Sequence, residues 1–132
     1  MMKALAASLT VVLLASGAQA QSAREAYEFS AQCAKHAADT FRKEWDSPRG
    51  FAANYENHYS LRLNKCFYIE ITNTDEREKG SFRSMRLYDL HQNREMAGYD
   101  KWADTVVYCS VKGKRCASEE EWRALIKPFM ED

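Results

Sequence analysis

Hydrophobic and polar positions alternate most cleanly over residues 65–73, Lys-Cys-Phe-Tyr-Ile-Glu-Ile-Thr-Asn. The stretch is rich in aromatic and β-branched residues and free of Gly and Pro, which predicts a strand. Phe67, Ile69 and Ile71 fall on one face and Cys66, Tyr68 and Glu70 on the other. An apolar face needs a cover, and an amphipathic helix is predicted on each side in sequence. The first spans residues 21–45, where Tyr27, Ala31, Ala34, Ala38, Phe41 and Trp45 form a stripe of period 3.6. Ser22 is its expected N-cap, with Glu25 completing a capping box. The Asp-Ser-Pro-Arg-Gly run at 46–50 stops it. On this helix Cys33 lies on the flank of the stripe and His36 opposite it.

Residues 51–64 show no clean period and read either as a loop over the core or as the early part of a long bent strand. After the charged connection at 74–80, a second strand is expected over 82–90. It has Met85 and Leu87 on one face and Phe82, Tyr88 and Leu90 on the other. Gln92-Asn93 reads as a turn, residues 94–99 as a returning strand with a bulge at Gly98, and 100–104 as a connection holding Trp102. Residues 105–111 form the next strand, with Val107 and Cys109 on one face and Val106 and Tyr108 on the other. Ser118 and Glu121 are a capping box ahead of Trp122, Leu125, Ile126 and Phe129, the spacing of a second amphipathic helix. Pro128 is expected to end that helix near Lys127, leaving Phe129 to pack from a non-helical tail. The order predicts an α+β fold: an antiparallel sheet of about four strands packed by an N-terminal and a C-terminal helix, with Phe67, Ile69 and Ile71 facing both.

The first 20 of the 132 residues change the picture of where the domain starts. Lys3, an apolar run over 5–15 and Ala18-Gln19-Ala20 have the form of a cleavable signal peptide, with the cut after Ala20. Residues 21–132 then form one domain, directed to the periplasm or the exterior, with no second apolar run long enough to span a membrane. The 19 basic and 19 acidic residues balance, and losing Lys3 with the leader leaves a net charge of −1. That excludes the basic excess expected of a nucleic-acid binder.

Four cysteines in a short exported chain read as a disulfide framework. A two-residue turn at Lys112-Gly113 sets Cys109 opposite Cys116, and Cys33–Cys66 follows by elimination. This second pairing carries a conflict: Cys66 lies on the face opposite the apolar row, yet must reach a helix expected to cover that row.

No cofactor motif is present: there is no Gly-rich phosphate loop, no H-E-x-x-H and no G-x-S-x-G. Cys33 and His36 stand one turn apart, the spacing of a nucleophile pair, but export favours a structural disulfide with an exposed histidine. With no C-x-x-C spacing, neither a zinc site nor a thioredoxin-type site is expected. Asp89, Glu95, Asp100 and Asp104 match no calcium loop and read as solvated hairpin charges.

Two clusters stand out as binding candidates. Tyr55, His58 and Tyr59, with Tyr99 or Trp102, would make an aromatic surface for a sugar or a protein; the alternative is rings capping the core edge. Lys112, Lys114 and Arg115 form a compact basic turn suited to an acidic partner. The expectation is a non-catalytic exported domain that binds a protein or glycan. The other readings are a small hydrolase with a site assembled from distant residues, and a structural envelope accessory protein.

Overall fold

A computed structural model describes residues 14–46 and 52–132, with the side chains from Ser22 onward. The elements in chain order are α1 (Leu14–Trp45), β1 (Ala52–Ser60), β2 (Lys65–Glu76), β3 (Gly80–Asp89), β4 (Arg94–Trp102), β5 (Thr105–Val111), β6 (Lys114–Arg115) and α2 (Glu119–Met130). The strands form one antiparallel sheet in the order β1-β2-β3-β4-β5-β6, so every strand pairs with its neighbours in sequence. The sheet therefore has six strands rather than about four. The additions are β1, in the stretch without a clean period, and the short β6 beyond the basic turn. Most of the leader, and the helix stop beyond Asp46, lie outside the described residues.

The two helices cover opposite faces of the sheet. Phe67, Ile69, Ile71, Met85, Leu87, Ala97, Tyr99, Cys109 and Val111 form one buried layer with Trp122 and Ile126 of α2. Cys66, Tyr68 and Tyr59 pack on the other face with Cys33 and Ala37 of α1. The expectation that both helices face the Phe67 row is thereby corrected, and the conflict over Cys66 disappears. Cys33 bonds Cys66 and Cys109 bonds Cys116, with Cα separations of 5.4 and 5.0 Å, the pairing expected from the sequence.

The packing face of α1 also differs from the expected stripe. Tyr27 is 76% exposed, and Ala31 and Ala34 are exposed, whereas Cys33 and Ala37 are buried and Phe41 is half-buried. The face in contact runs 29-33-37-41, a step of four residues. Phe29 stacks on Tyr59, with ring centroids 5.4 Å apart, and Phe41 packs on Tyr55 at 4.8 Å. The apolar stripe was too weak to fix the helix rotation, and the Cys33–Cys66 bond turns the cysteine from flank to centre. Helical structure also continues N-terminal to Ser22, so Ser22 does not cap α1 here.

Helix α2 keeps its expected start. Ser118 accepts a bond from the Glu121 amide, and Glu121 accepts one from the Ala117 amide. Its end is corrected: the helix runs through Pro128 to Met130. The ring removes one amide donor, the one Ala124 would accept from, and both residues are exposed, so no carbonyl is buried by the loss. Phe129 thus completes the helical stripe and meets Phe67 edge-on at 5.4 Å. A bidentate bond from Arg83 to Glu119, and Arg123 Nη1 donating to both Glu56 carboxylate oxygens, fasten α2 to β3 and β1.

Two bulges shape the far half of the sheet. One shifts register between Leu87 and Tyr88, the other between Asp100 and Lys101. Gly98 lies between them, in register with Arg86, and is not itself the bulge. A Cβ on Gly98 would stand 2.7 Å from the Tyr108 ring, so glycine makes room for that ring beside β4. The second bulge leaves Val107 unpaired and returns Val106 to the α2 core, correcting the expected faces of β5. Helix α1 rests mainly on β1 and β2, which leaves most of the same face of β3–β5 without a helix among the described residues.

Candidate functional site

The basic turn is formed as the sequence suggests. Lys112 and Gly113 both take positive φ, 47° and 83°, and Val111 pairs with Lys114. The Cys116 amide donates to the Cys109 carbonyl, and the Lys112 amide to Met96, which ties the turn to β4. Lys112 Nζ lies 5.5 Å from the centre of the Phe129 ring, so α2 holds this cation by a cation–π contact. Lys114 and Arg115 are exposed, and none of the three has a carboxylate partner among the described residues. Beside the turn is a groove of about 410 Å³ lined by Val106, Val107, Tyr108, Ser110, Gly113 and Arg115. Because β6 covers only Ser110 and Val111, the outer edge of β5 from Thr105 to Tyr108 pairs with no strand among the described residues. Val107 and Tyr108 are 55% and 47% exposed there, and the Arg86 guanidinium lies over the Tyr108 ring at 5.7 Å.

The aromatic candidates do not come together as one surface. Strand alternation puts Tyr55 and Tyr59 on the α1 face and His58 on the α2 face. Tyr59 is buried, stacked on Phe29, and its hydroxyl donates to Asn64. Tyr55 is half-buried between Phe41 and Tyr68. Tyr99 is in the α2 core, and Trp102 packs on Phe82 at 4.8 Å.

His58 belongs to a different cluster. Its Nε2 lies 2.5 Å from Asp132 Oδ1, while the Ser60 hydroxyl donates to Asp132 Oδ2, as does the Arg62 amide at 3.1 Å. The hydrogen bonds from His58 and Ser60 hold the Asp132 carboxyl down at about 2, against the opposing effect of burial. A serine, a histidine and an aspartate thus meet, but the carboxylate stands at the centre. Nucleophilic catalysis needs the imidazole between hydroxyl and carboxylate. Ser60 is also fully buried, and its oxygen accepts the Leu63 amide. The cluster latches the end of α2 to β1. Cys33 is oxidised, so no thiol faces the exposed His36.

The hairpin carboxylates are not uniformly solvated, which corrects that expectation. Asp89 is fully buried; it bonds Lys65 Nζ at 2.7 Å and accepts the amides of His91 and Gln92. Burial opposes its charge, but these donors prevail and hold its carboxyl below the usual range. Asp100 takes a bidentate bond from Arg86 at 2.8 Å. No group of three or more potential metal ligands occurs among the described residues, and no helix among them is long and apolar enough to cross a membrane.

Compared with known proteins, the chain matches no family model, no curated protein and no solved structure. The site therefore rests on its own geometry. One part of it was not singled out from the sequence: a recess beside α1 where Tyr68, Glu70 and Tyr88 meet Thr40 and Glu44. The signal was present, since Tyr68 and Glu70 share the Cys66 face, but residues on α1 and β3 complete it only in three dimensions.

Proposed function

We propose that this protein is an exported, disulfide-stapled and non-catalytic domain that binds a protein or glycan partner in the periplasm or outside the cell. The observation that carries the reading is the β5–β6 end. Three cations without carboxylate partners among the described residues stand on a turn clipped by Cys109–Cys116, beside exposed Val107 and Tyr108 on an unpaired strand edge. A hairpin already ordered by a disulfide loses little entropy on binding, and Tyr and Arg are the side chains that anchor interfaces. Export is supported by the form of residues 1–20 and by the two disulfides. A cut after Ala20 would start α1 at Gln21, where Ser22 and Glu25 have capping-box spacing. The absence of catalysis is supported by the oxidised cysteines and by the carboxylate-centred order of the His58 cluster.

The test is a photo-crosslinking side chain placed at Tyr108 in the full chain, secreted by a bacterial host with an outer membrane, with the same group at Tyr27 as control. The reading predicts a mature N-terminus at Gln21 and an adduct at position 108 that is absent at position 27. The triple variant K112E/K114E/R115E should abolish it. Identical adducts at both positions, or an adduct indifferent to the triple variant, would contradict it.

A further inference from the structure

We propose that the recess between the C-terminal half of α1 and strands β2 and β3 is a binding site for a small organic cation of the ammonium class. It is lined by Thr40, Glu44, Tyr68, Glu70, Tyr88 and Asn93 and encloses about 220 Å³. Two features together mark it. The first is its charge. The other buried or half-buried carboxylates on the sheet have cations, among them Lys65 for Asp89, Arg86 for Asp100 and Arg123 for Glu56. Glu70 stands directly across the ladder from Arg86, the natural partner for it, but that guanidinium is committed to Asp100 at 2.8 Å and lies 3.5 Å from Glu95. Neither Glu70 nor Glu44 is paired with a basic side chain among the described residues. Glu70 accepts one bond, from the Trp45 indole at 3.1 Å, which orients the carboxylate without neutralising it.

The second feature is Tyr68, at the floor of the recess. Only 1% of it is exposed, and its hydroxyl has no hydrogen-bond partner. Buried hydroxyls are rarely left so, because the loss of water is uncompensated. Burial, then the nearby carboxylate of Glu70, keeps this phenol neutral well above its ordinary range, and Tyr88 is shifted the same way. The recess is therefore a place of negative potential walled by two phenol rings, with centroids 6.3 Å apart.

These features select the ligand. A calcium ion wants six to eight oxygen ligands, and two carboxylates among aromatic walls do not supply them. A neutral sugar leaves both charges unanswered. An alkylammonium group answers both, with its charge toward Glu44 and Glu70 and its C–H surface against the half-buried ring of Tyr88. The volume is below that of a drug-sized pocket, which limits the ligand to a handful of heavy atoms and its Kd to the order of 0.1–1 mM. The site is separate from the β5–β6 end and stands whether or not that end binds a partner.

The test is a titration of the full chain by nuclear magnetic resonance with choline, and with its uncharged isostere 3,3-dimethylbutan-1-ol. Choline should saturate below about 10 mM, moving the amides of Tyr68, Glu70, Tyr88 and Asn93, and bind at least about tenfold more tightly than the isostere. E44Q, at an exposed position, should keep the native spectrum and weaken choline severalfold; E70Q should weaken it about tenfold or more. E78Q, in the β2–β3 turn, should change nothing. Equal affinity for choline and the isostere, no saturation by choline, or shifts confined to other residues would overturn the assignment.

Discussion

Under α2, the rings and aliphatic chains of Phe67, Ile69, Met85, Leu87 and Tyr99 form a layer that crosses β2, β3 and β4 and closes on a fully buried Trp122. Under α1, the buried set is Cys33, Ala37, Tyr59, Cys66, Tyr68 and Leu90, hung on a disulfide and bordered by half-exposed rings. The same strands supply both. The α2 face is held by dry area, at roughly 25 cal/mol per Å² removed from water. The α1 face buries less and substitutes a covalent bond for the missing area. Beside α1 it leaves the carboxylates of Glu44 and Glu70 without cations among the described residues. A sheet closed on one face by packing and on the other by a cross-link can carry polar and charged groups on the second without losing its core.

The comparison is broken most severely on the α2 side. Trp122→Ala should cost about 3–5 kcal/mol in urea unfolding, because Trp122 is fully buried against the layer. Trp122→Phe should cost clearly less, since the indole N–H has no partner to lose. A similar loss for both would mean that the indole is bonded after all. On the α1 side, C33A/C66A should cost ~4 kcal/mol by the chain-entropy argument for a sequence separation of 33. C109A/C116A, with a separation of 7, should cost ~2.5 kcal/mol. The reverse ranking would show that the short clip carries more than its own turn.

Smaller effects sharpen the picture. Asp89→Asn should cost about 2–3 kcal/mol, because it weakens an ion pair and two amide bonds at a fully buried position. The Asp132 latch gives a pH signature. Its carboxyl is held at about 2 in the folded chain against 3.8 ordinarily, so its contribution is complete above about pH 4 and is lost as pH falls toward 2. Asp89, Asp100 and Glu119 are shifted in the same direction and add to the acid sensitivity. Urea midpoints measured between pH 5 and pH 2 should fall less steeply in Asp132→Asn than in the parent. The smallest change lies outside both faces: Ala103 takes φ +48° in the β4–β5 turn, and Ala103→Gly should raise stability by about 0.5–1 kcal/mol in the same assay.

The sequence was most legible where chemistry is local. The alternation of residues 66–71, the Lys112-Gly113 turn with its flanking cysteines, and the Ser118 cap each depend on a few neighbouring residues, and each is found as expected. It was least legible where a choice is made between elements. The alanine-rich stripe of α1 was compatible with several rotations, and the cross-link to Cys66 selects one that exposes Tyr27. Residues 52–60 hid a strand because both its faces are mixed: Tyr55 and Tyr59 look toward one helix while Glu56 and His58 bond the other helix and its tail. For the same reason Tyr55, His58 and Tyr59, adjacent in sequence, do not form one surface. Lys112, Lys114 and Arg115 did lead to an exposed end, because a tight turn keeps its charges in water wherever the sheet is placed. The carboxylates divide likewise. Asp89 looked like a hairpin charge, and only the fold brings Lys65 over it; Glu70 was read only as a polar position on the Cys66 face, and only the fold sets it across from an Arg86 that is given to Asp100.

Amide hydrogen exchange on the full chain, compared between the parent and C33A/C66A, tests the two-face account most directly. The account predicts that amides of α1 from Gln32 to Trp45 lose most of their protection while those of β2 to β5 and of α2 keep theirs relative to global stability. Uniform loss across both helices and the sheet, or an α1 that stays protected without the disulfide, would contradict it.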